Sequence, residues 1–222
     1  MSTVLKVDGS FVHEIRSPAF PDEGGIYLSA GIHGDEVAGV EGLTRWAEAE
    51  VRRIRKLPLL IFPCLNPWGF AQNSRLSKEG HDLNRLWGGS LNSLTTAIQL
   101  RIGGMRFRAS INLHEDYEAG GAYLYELSRP GGPLEIGERI LRGVEELIPR
   151  DTRALIDGRK AINGIIRPRP RNFEPDRLPE ALLLSRKHTD LSFTLETPSE
   201  FDLKIRAMAH ERMIREALRS VF

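Results

Sequence analysis

The chain has 222 residues, 41% of them hydrophobic and 27% charged, enough for one sizeable α/β domain, 1–222, and short for two. Lys and Arg total 31 against 30 Asp and Glu, a net charge of +1, which gives no electrostatic case for nucleic acid or an anionic membrane as partner. No apolar run approaches the length needed to span a bilayer. The start, Met1-Ser-Thr-Val-Leu-Lys-Val-Asp8, lacks the basic and apolar regions of a signal peptide, and Cys64 is the single cysteine. A cytoplasmic protein without disulfides is the expectation, with Cys64 in the core.

In chain order, residues 3–16 alternate loosely and predict one or two edge strands, with His13 an ordinary sheet or surface histidine. Ile26 to Gly31 is an apolar run closed by glycine, hence a buried strand and a tight turn. From Val37 to Lys56 apolar or small residues recur with a helical period (Val37, Val40, Leu43, Ala47, Val51, Ile54), and Pro58 stops the helix. Leu59 to Leu65 then reads as a strand buried on both faces. Strand, helix and strand with this crossover make a right-handed parallel unit.

Asn66 to Ser93 has no sustained period and reads as a long irregular segment, a feature usually tied to function. A weak helix follows over 94–106, then a strand from Ala109 to His114 and an acidic turn, Glu115-Asp-Tyr-Glu118. Ala122 to Leu127 is another strand, and Pro133 to Ile148 an amphipathic helix. Residues 149–190, rich in arginine and proline, give no clear element. Ser192 to Glu196 is the last strand, and Glu200 to Ser220 the closing helix. No repeat or linker divides the chain.

Three of these strands end on chemistry-bearing residues: His33 with Glu36, then His114, then Glu196. A parallel sheet gathers its carboxyl ends into one crevice. Two histidines and a carboxylate with one open position form the usual ligand set of catalytic zinc, and a separate glutamate can take a proton from bound water. Taken singly, each has a plainer reading. Acidic residues favour a helix N-terminus, which covers Asp35 and Glu36 but not His33. His114 could be a structural histidine, and Glu196 a solvated strand end. Their joint placement favours the site.

The irregular segment adds Asn66-Pro-Trp-Gly69, then Arg75, then Asp82-Leu-Asn-Arg85. With the His-x-x-Glu pair, the strand-end histidine and the late glutamate, this order of motifs resembles the zinc carboxypeptidase superfamily across nearly the whole chain. The resemblance implies a three-layer α/β sandwich, a mixed and mostly parallel sheet between helices. It implies one zinc per chain on His33, Glu36 and His114, with Glu196 as general base and Arg75 steadying the oxyanion. Asn84 and Arg85 would hold a free substrate carboxylate, as a planar guanidinium can through paired hydrogen bonds. For Arg85 the plainer alternative is a partner for Asp82 or a helix cap.

Departures from the pattern leave the branch open. Asp35 stands where pancreatic-type enzymes carry a second substrate arginine, and no tyrosine follows Tyr125 to fill their mobile-tyrosine role. The compact core resembles the desuccinylase and aspartoacylase branch, whose further C-terminal domain is not matched by the 26 residues after Glu196. The expected function is zinc-dependent hydrolysis of an amide bond in a small peptide or an N-acyl amino acid with a free carboxylate, by a metallocarboxypeptidase or else a deacylase, with a zinc-free binding protein of the same fold as the remaining alternative. Arg159, Arg167, Arg169, Arg171 and Arg177 suggest an acidic neighbour to the scissile bond, unless they are a solvated face. Trp68 and Trp87 could wall the pocket or pack in the core. His81 could line the pocket near Asp82, and His188 with Asp190 reads as a surface pair or, failing that, as support behind the site.

Overall fold

The computed structural model describes residues 2–7, 9–21, 23–129, 135–168 and 174–222. β1 (Ser2–Val7) and β2 (Ser10–Arg16) form one antiparallel hairpin. β3 (Glu23–Ala30) leads through a turn to α1 (Val37–Ala49), a short α2 (Val51–Ile54) and β4 (Leu59–Phe62), which pairs parallel with β3. The helical period over 37–56 is thus interrupted. Glu50 leaves helical geometry at φ −112°, and its carboxylate is paired with Arg215 of the last helix.

The segment 66–93 is more ordered than its lack of period predicts. It holds α3 (Pro67–Gln72), a 3-10 turn at Leu83–Arg85, and β5 (Trp87–Gly88). Polar caps build these pieces: Asn66 Oδ1 accepts from Gly69 N at 2.9 Å, and Asp82 Oδ1 from Asn84 N at 2.9 Å. Pro67 occupies the first turn of α3, where its missing N–H costs nothing.

Then come α4 (Ser93–Ile102), β6 (Arg106–Asp116), β7 (Tyr123–Ser128) and α5 (Ile136–Arg142). β6 runs through Glu115 and Asp116, so the predicted acidic turn begins later. The Pro133 start predicted for the next helix lies outside the described residues, and the helix ends at Arg142 rather than Ile148. Residues 149–190 contain β8 (Leu155–Ile156), β9 (Arg159–Ile162), β10 (Ile165–Ile166), β11 (Arg177–Leu178) and α6 (Glu180–Lys187). β12 (Leu191–Pro198) and α7 (Leu203–Val221) close the fold.

Among the described residues ten strands form one mixed sheet in the order β1-β2-β4-β3-β6-β12-β7-β10-β9-β8, while β5 and β11 pair separately. Its centre, β4-β3-β6-β12, is parallel. Alternate residues of β4 serve opposite cores: Leu59 and Ile61 meet Leu43 and Trp46 of α1 and Met213 of α7, whereas Leu60 and Phe62 meet Trp87, Ile98 of α4 and Leu184 of α6. Helices on both faces make this the expected three-layer α/β sandwich. Trp87 is a core residue. Among the described residues no helix is long and apolar enough to cross a membrane.

Candidate active site and metal centre

The site lies at the carboxyl ends of β3, β6 and β12. After β3 the chain turns at Gly31, whose φ of 63° falls in the left-handed region that favours glycine. Gly34 sits so close to the backbone of Gly69 and Phe70 that any Cβ would collide with it. This close approach brings the Asn-Pro-Trp-Gly turn against the His-x-x-Glu turn, with Gly34 N donating to Ser74 O at 3.0 Å.

His33 Nδ1 lies 2.6 Å from Glu36 Oε1, and His114 Nδ1 lies 2.7 Å from Glu36 Oε2. All three side chains are buried, and their donor atoms fall within 4.8 Å of one another. Among the described residues this is the group of His, Cys, Asp and Glu side chains able to close on one ion. Two imidazoles and a carboxylate suit zinc and other divalent transition metals. The remaining nitrogen of His33, Nε2, is 3.1 Å from Asp82 Oδ1, a contact that can fix the tautomer and leaves Nδ1 toward Glu36, where an ion would sit. Asp82 was not singled out from the sequence, although the Asp-Leu-Asn-Arg stretch contains it.

Burial opposes ionisation of Glu36, yet the two histidines hold its carboxyl well below the usual range. Burial likewise opposes charge on His33, but Glu36 and Asp82 outweigh it and raise its pKa to about 9. A metal ion would take the place of those protons.

Glu196 is the register partner of His114 on parallel β6 and of Tyr123 on antiparallel β7. The three therefore stand in a row across β6, β12 and β7. Burial, helped by Glu36, Asp116 and Asp157 against the pull of His114, holds the Glu196 carboxyl well above its ordinary range. Arg75 Nη2 donates to Asp82 Oδ2 at 3.1 Å, and its Nη1 lies 3.5 Å from Glu36 Oε1. Asn84 Oδ1 accepts from Glu180 N at 2.8 Å, which leaves the amide hydrogens of Asn84 for another acceptor. Arg85 Nη1 donates to Asn84 O at 2.8 Å, and among the described residues no carboxylate pairs with Arg85.

One cavity of about 690 Å³ is lined by His33, Glu36, Arg75, His114 and Glu196 together with Asn84 and Arg85, so every site residue expected from the sequence faces it. Tyr123 and Tyr125 line it too. Tyr123 donates to Asp116 Oδ2 at 3.1 Å, and Tyr125 to Asp157 Oδ2 at 2.5 Å. The Asp157-Gly158 pair, with φ of 50° and 64°, is the turn of the β8–β9 hairpin. That dipeptide signal was readable in the sequence and would have placed the hairpin.

Of the arginines expected to favour acidic substrates, Arg167 pairs with Glu126 at 2.6 Å and Arg177 with Glu174 at 3.2 Å. Arg169 and Arg171 lie outside the described residues. Arg159 lines the cavity and has no carboxylate partner among the described residues. His81 is exposed, and His188 is buried and donates from Nδ1 to Met105 O at 2.9 Å, so it is no surface histidine.

The model of the succinylglutamate desuccinylase/aspartoacylase catalytic domain matches residues 23–106. A candidate metallopeptidase from Shewanella baltica superposes with a TM-score of 0.85 at 23% identity, covering 100% of this chain and 86% of that one. The fold is that of the zinc carboxypeptidases. A metallo-carboxypeptidase from Burkholderia cenocepacia (TM-score 0.68, 17% identity, 99% of this chain and 64% of that one) has the same fold. So does a murein-tripeptide amidase from Escherichia coli (TM-score 0.61, 18% identity, 96% and 88%). No curated protein matches the sequence. The superfamily resemblance read from the motifs holds, with the desuccinylase/aspartoacylase branch matched through the stretch that carries His33, Glu36, Arg75, Asn84 and Arg85.

Proposed function

We propose that residues 1–222 act as one catalytic domain, a zinc-dependent metallocarboxypeptidase that hydrolyses an amide bond next to a free carboxylate. The observation that carries this is the convergence of His33, Glu36 and His114 on one point, with Glu196 beside them in the same cavity. The three side chains would hold a zinc ion, which when bound would supply Lewis acidity and lower the pKa of water. Glu196, beside His114 in the same cavity, would take a proton from water there and deliver it to the departing amine. Arg75 donates to the oxyanion that develops on the carbonyl. Asn84 and Arg85 fix the substrate carboxylate and so set which amide bond meets Glu196.

A second reading, a deacylase freeing an amino acid from its N-acyl group, is favoured by the family match over residues 23–106. Both reactions use the same groups. Arg159, which lines the cavity without a carboxylate partner among the described residues, adds a preference for a second anionic group on the substrate, beside the scissile bond. The balanced charge and the lone cysteine keep a cytoplasmic location, with neither nucleic acid nor membrane as partner, within the proposal.

Metal analysis followed by turnover of matched dipeptides and N-acyl amino acids tests both readings. The purified protein should carry about one zinc per chain, and His114→Ala should lose it. Full zinc occupancy in that variant would refute the ligand set. Faster turnover of the N-acyl compounds would select the deacylase. Amidating the substrate carboxylate should lower kcat/KM by about 10–100-fold, the scale of losing one or two charge-assisted hydrogen bonds to the exposed Arg85 guanidinium. Arg159→Ala should narrow any advantage of glutamate over leucine, and no advantage in the wild type would end the second-anion idea.

A further inference from the structure

Glu36 is the N-cap residue of α1, yet its side chain makes no capping bond, because both oxygens are turned to His33 and His114. A helix start needs acceptors for its free N–H groups, and a site that takes the cap residue as a ligand removes one. Glu115 supplies the replacement. Its Oε1 accepts from Ala38 N in the first turn of α1 at 2.6 Å, and its own backbone N–H donates to Glu36 Oε2 at 3.2 Å. The other oxygen, Oε2, is paired with the guanidinium of Arg206 on α7, whose Nε is anchored on Phe201 O at 2.7 Å. The Glu115 side chain is 0% exposed and that of Arg206 14%, so these are interior contacts.

Resting on the reading of Glu36 as a metal ligand, we propose that Glu115 and Arg206 are positioning residues for the metal centre. Glu115 holds both the start of α1 and the carboxylate of Glu36. Arg206 neutralises Glu115 and ties that hold to α7. With the bracket in place Glu36 keeps one orientation, and the metal is not asked to order it. Outer contacts of this kind set metal affinity by about 10–100-fold.

The test is zinc affinity, measured by chelator competition on folded protein, beside the melting temperature of the metal-free form. Glu115→Ala should weaken zinc binding by about 10–100-fold, and Glu115→Gln, whose amide oxygen still accepts from Ala38 N, should recover most of that loss. Arg206→Met should weaken binding by about ten-fold and covers the case in which Glu115→Ala does not fold. A lower melting temperature with unchanged zinc affinity in Glu115→Ala, or in Arg206→Met, would overturn the proposal, since Glu115 would then brace the fold alone. His114→Ala serves as the control. Zinc retained there refutes the metal centre itself, whereas zinc lost there but not in Glu115→Ala refutes only the bracket.

Discussion

Glu196 owes its place to two registers at once, parallel to His114 and antiparallel to Tyr123. Replacing it by glutamine preserves shape and removes the basic oxygen. Glu196→Gln should therefore cut kcat by about 10²-fold or more, while zinc content measured by metal analysis stays at the wild-type level. The pH dependence follows from the same residue. Its pKa is raised, chiefly by burial, and the reaction needs the ionised form, so activity is present at high pH and falls as the pH drops through that raised value. The acid limb of kcat/KM should lie above about 4.3, the value of a free glutamate. A limb at or below it would mean that Glu196 is not the group titrating.

Among the elements, those with apolar runs or a helical period were legible. β3, β4, β6 and β12 announce themselves by Ile26 to Ala30, Leu59 to Phe62, Ile111 to Leu113 and Phe193 to Leu195, and α1 and α7 by their apolar stripes. The gathering of His33, Glu36 and His114 was legible for the same reason, since they lie at or just beyond the carboxyl ends of such strands. α3 was not, because six residues leave no room for a period and its start depends on the Asn66 amide. Asn66→Ala should lower stability by about 1 kcal/mol, seen as a lower melting temperature; an unchanged melting temperature would show that Gly34 packing alone holds α3. α6 was hidden by its arginine- and proline-rich approach. The partners of Glu115 could not be read at all, since Ala38 and Arg206 reach it only through tertiary packing.

On the scale of the whole molecule, the candidate site joins segments from every third of the chain without resting on one local motif. The donors are already gathered by sheet and helices, so removing metal should leave the fold standing but less stable. Zinc at about 100 times its dissociation constant adds about 2.7 kcal/mol to the native state. Chelation should accordingly lower the melting temperature of the wild type and leave that of His114→Ala unmoved; an equal drop in both would place the chelator's effect elsewhere. The order in which the chain is made gives the Glu115–Arg206 contact a further meaning. His33 leaves the ribosome 173 residues ahead of Arg206, a delay of roughly 10–35 s at ordinary rates of translation. Through that interval the nascent chain has His33 and Glu36 but neither Glu196 nor the α7 anchor. The candidate site is therefore incomplete until nearly all of these residues have been synthesised, and a chain stalled before Glu196 lacks one side of the cavity.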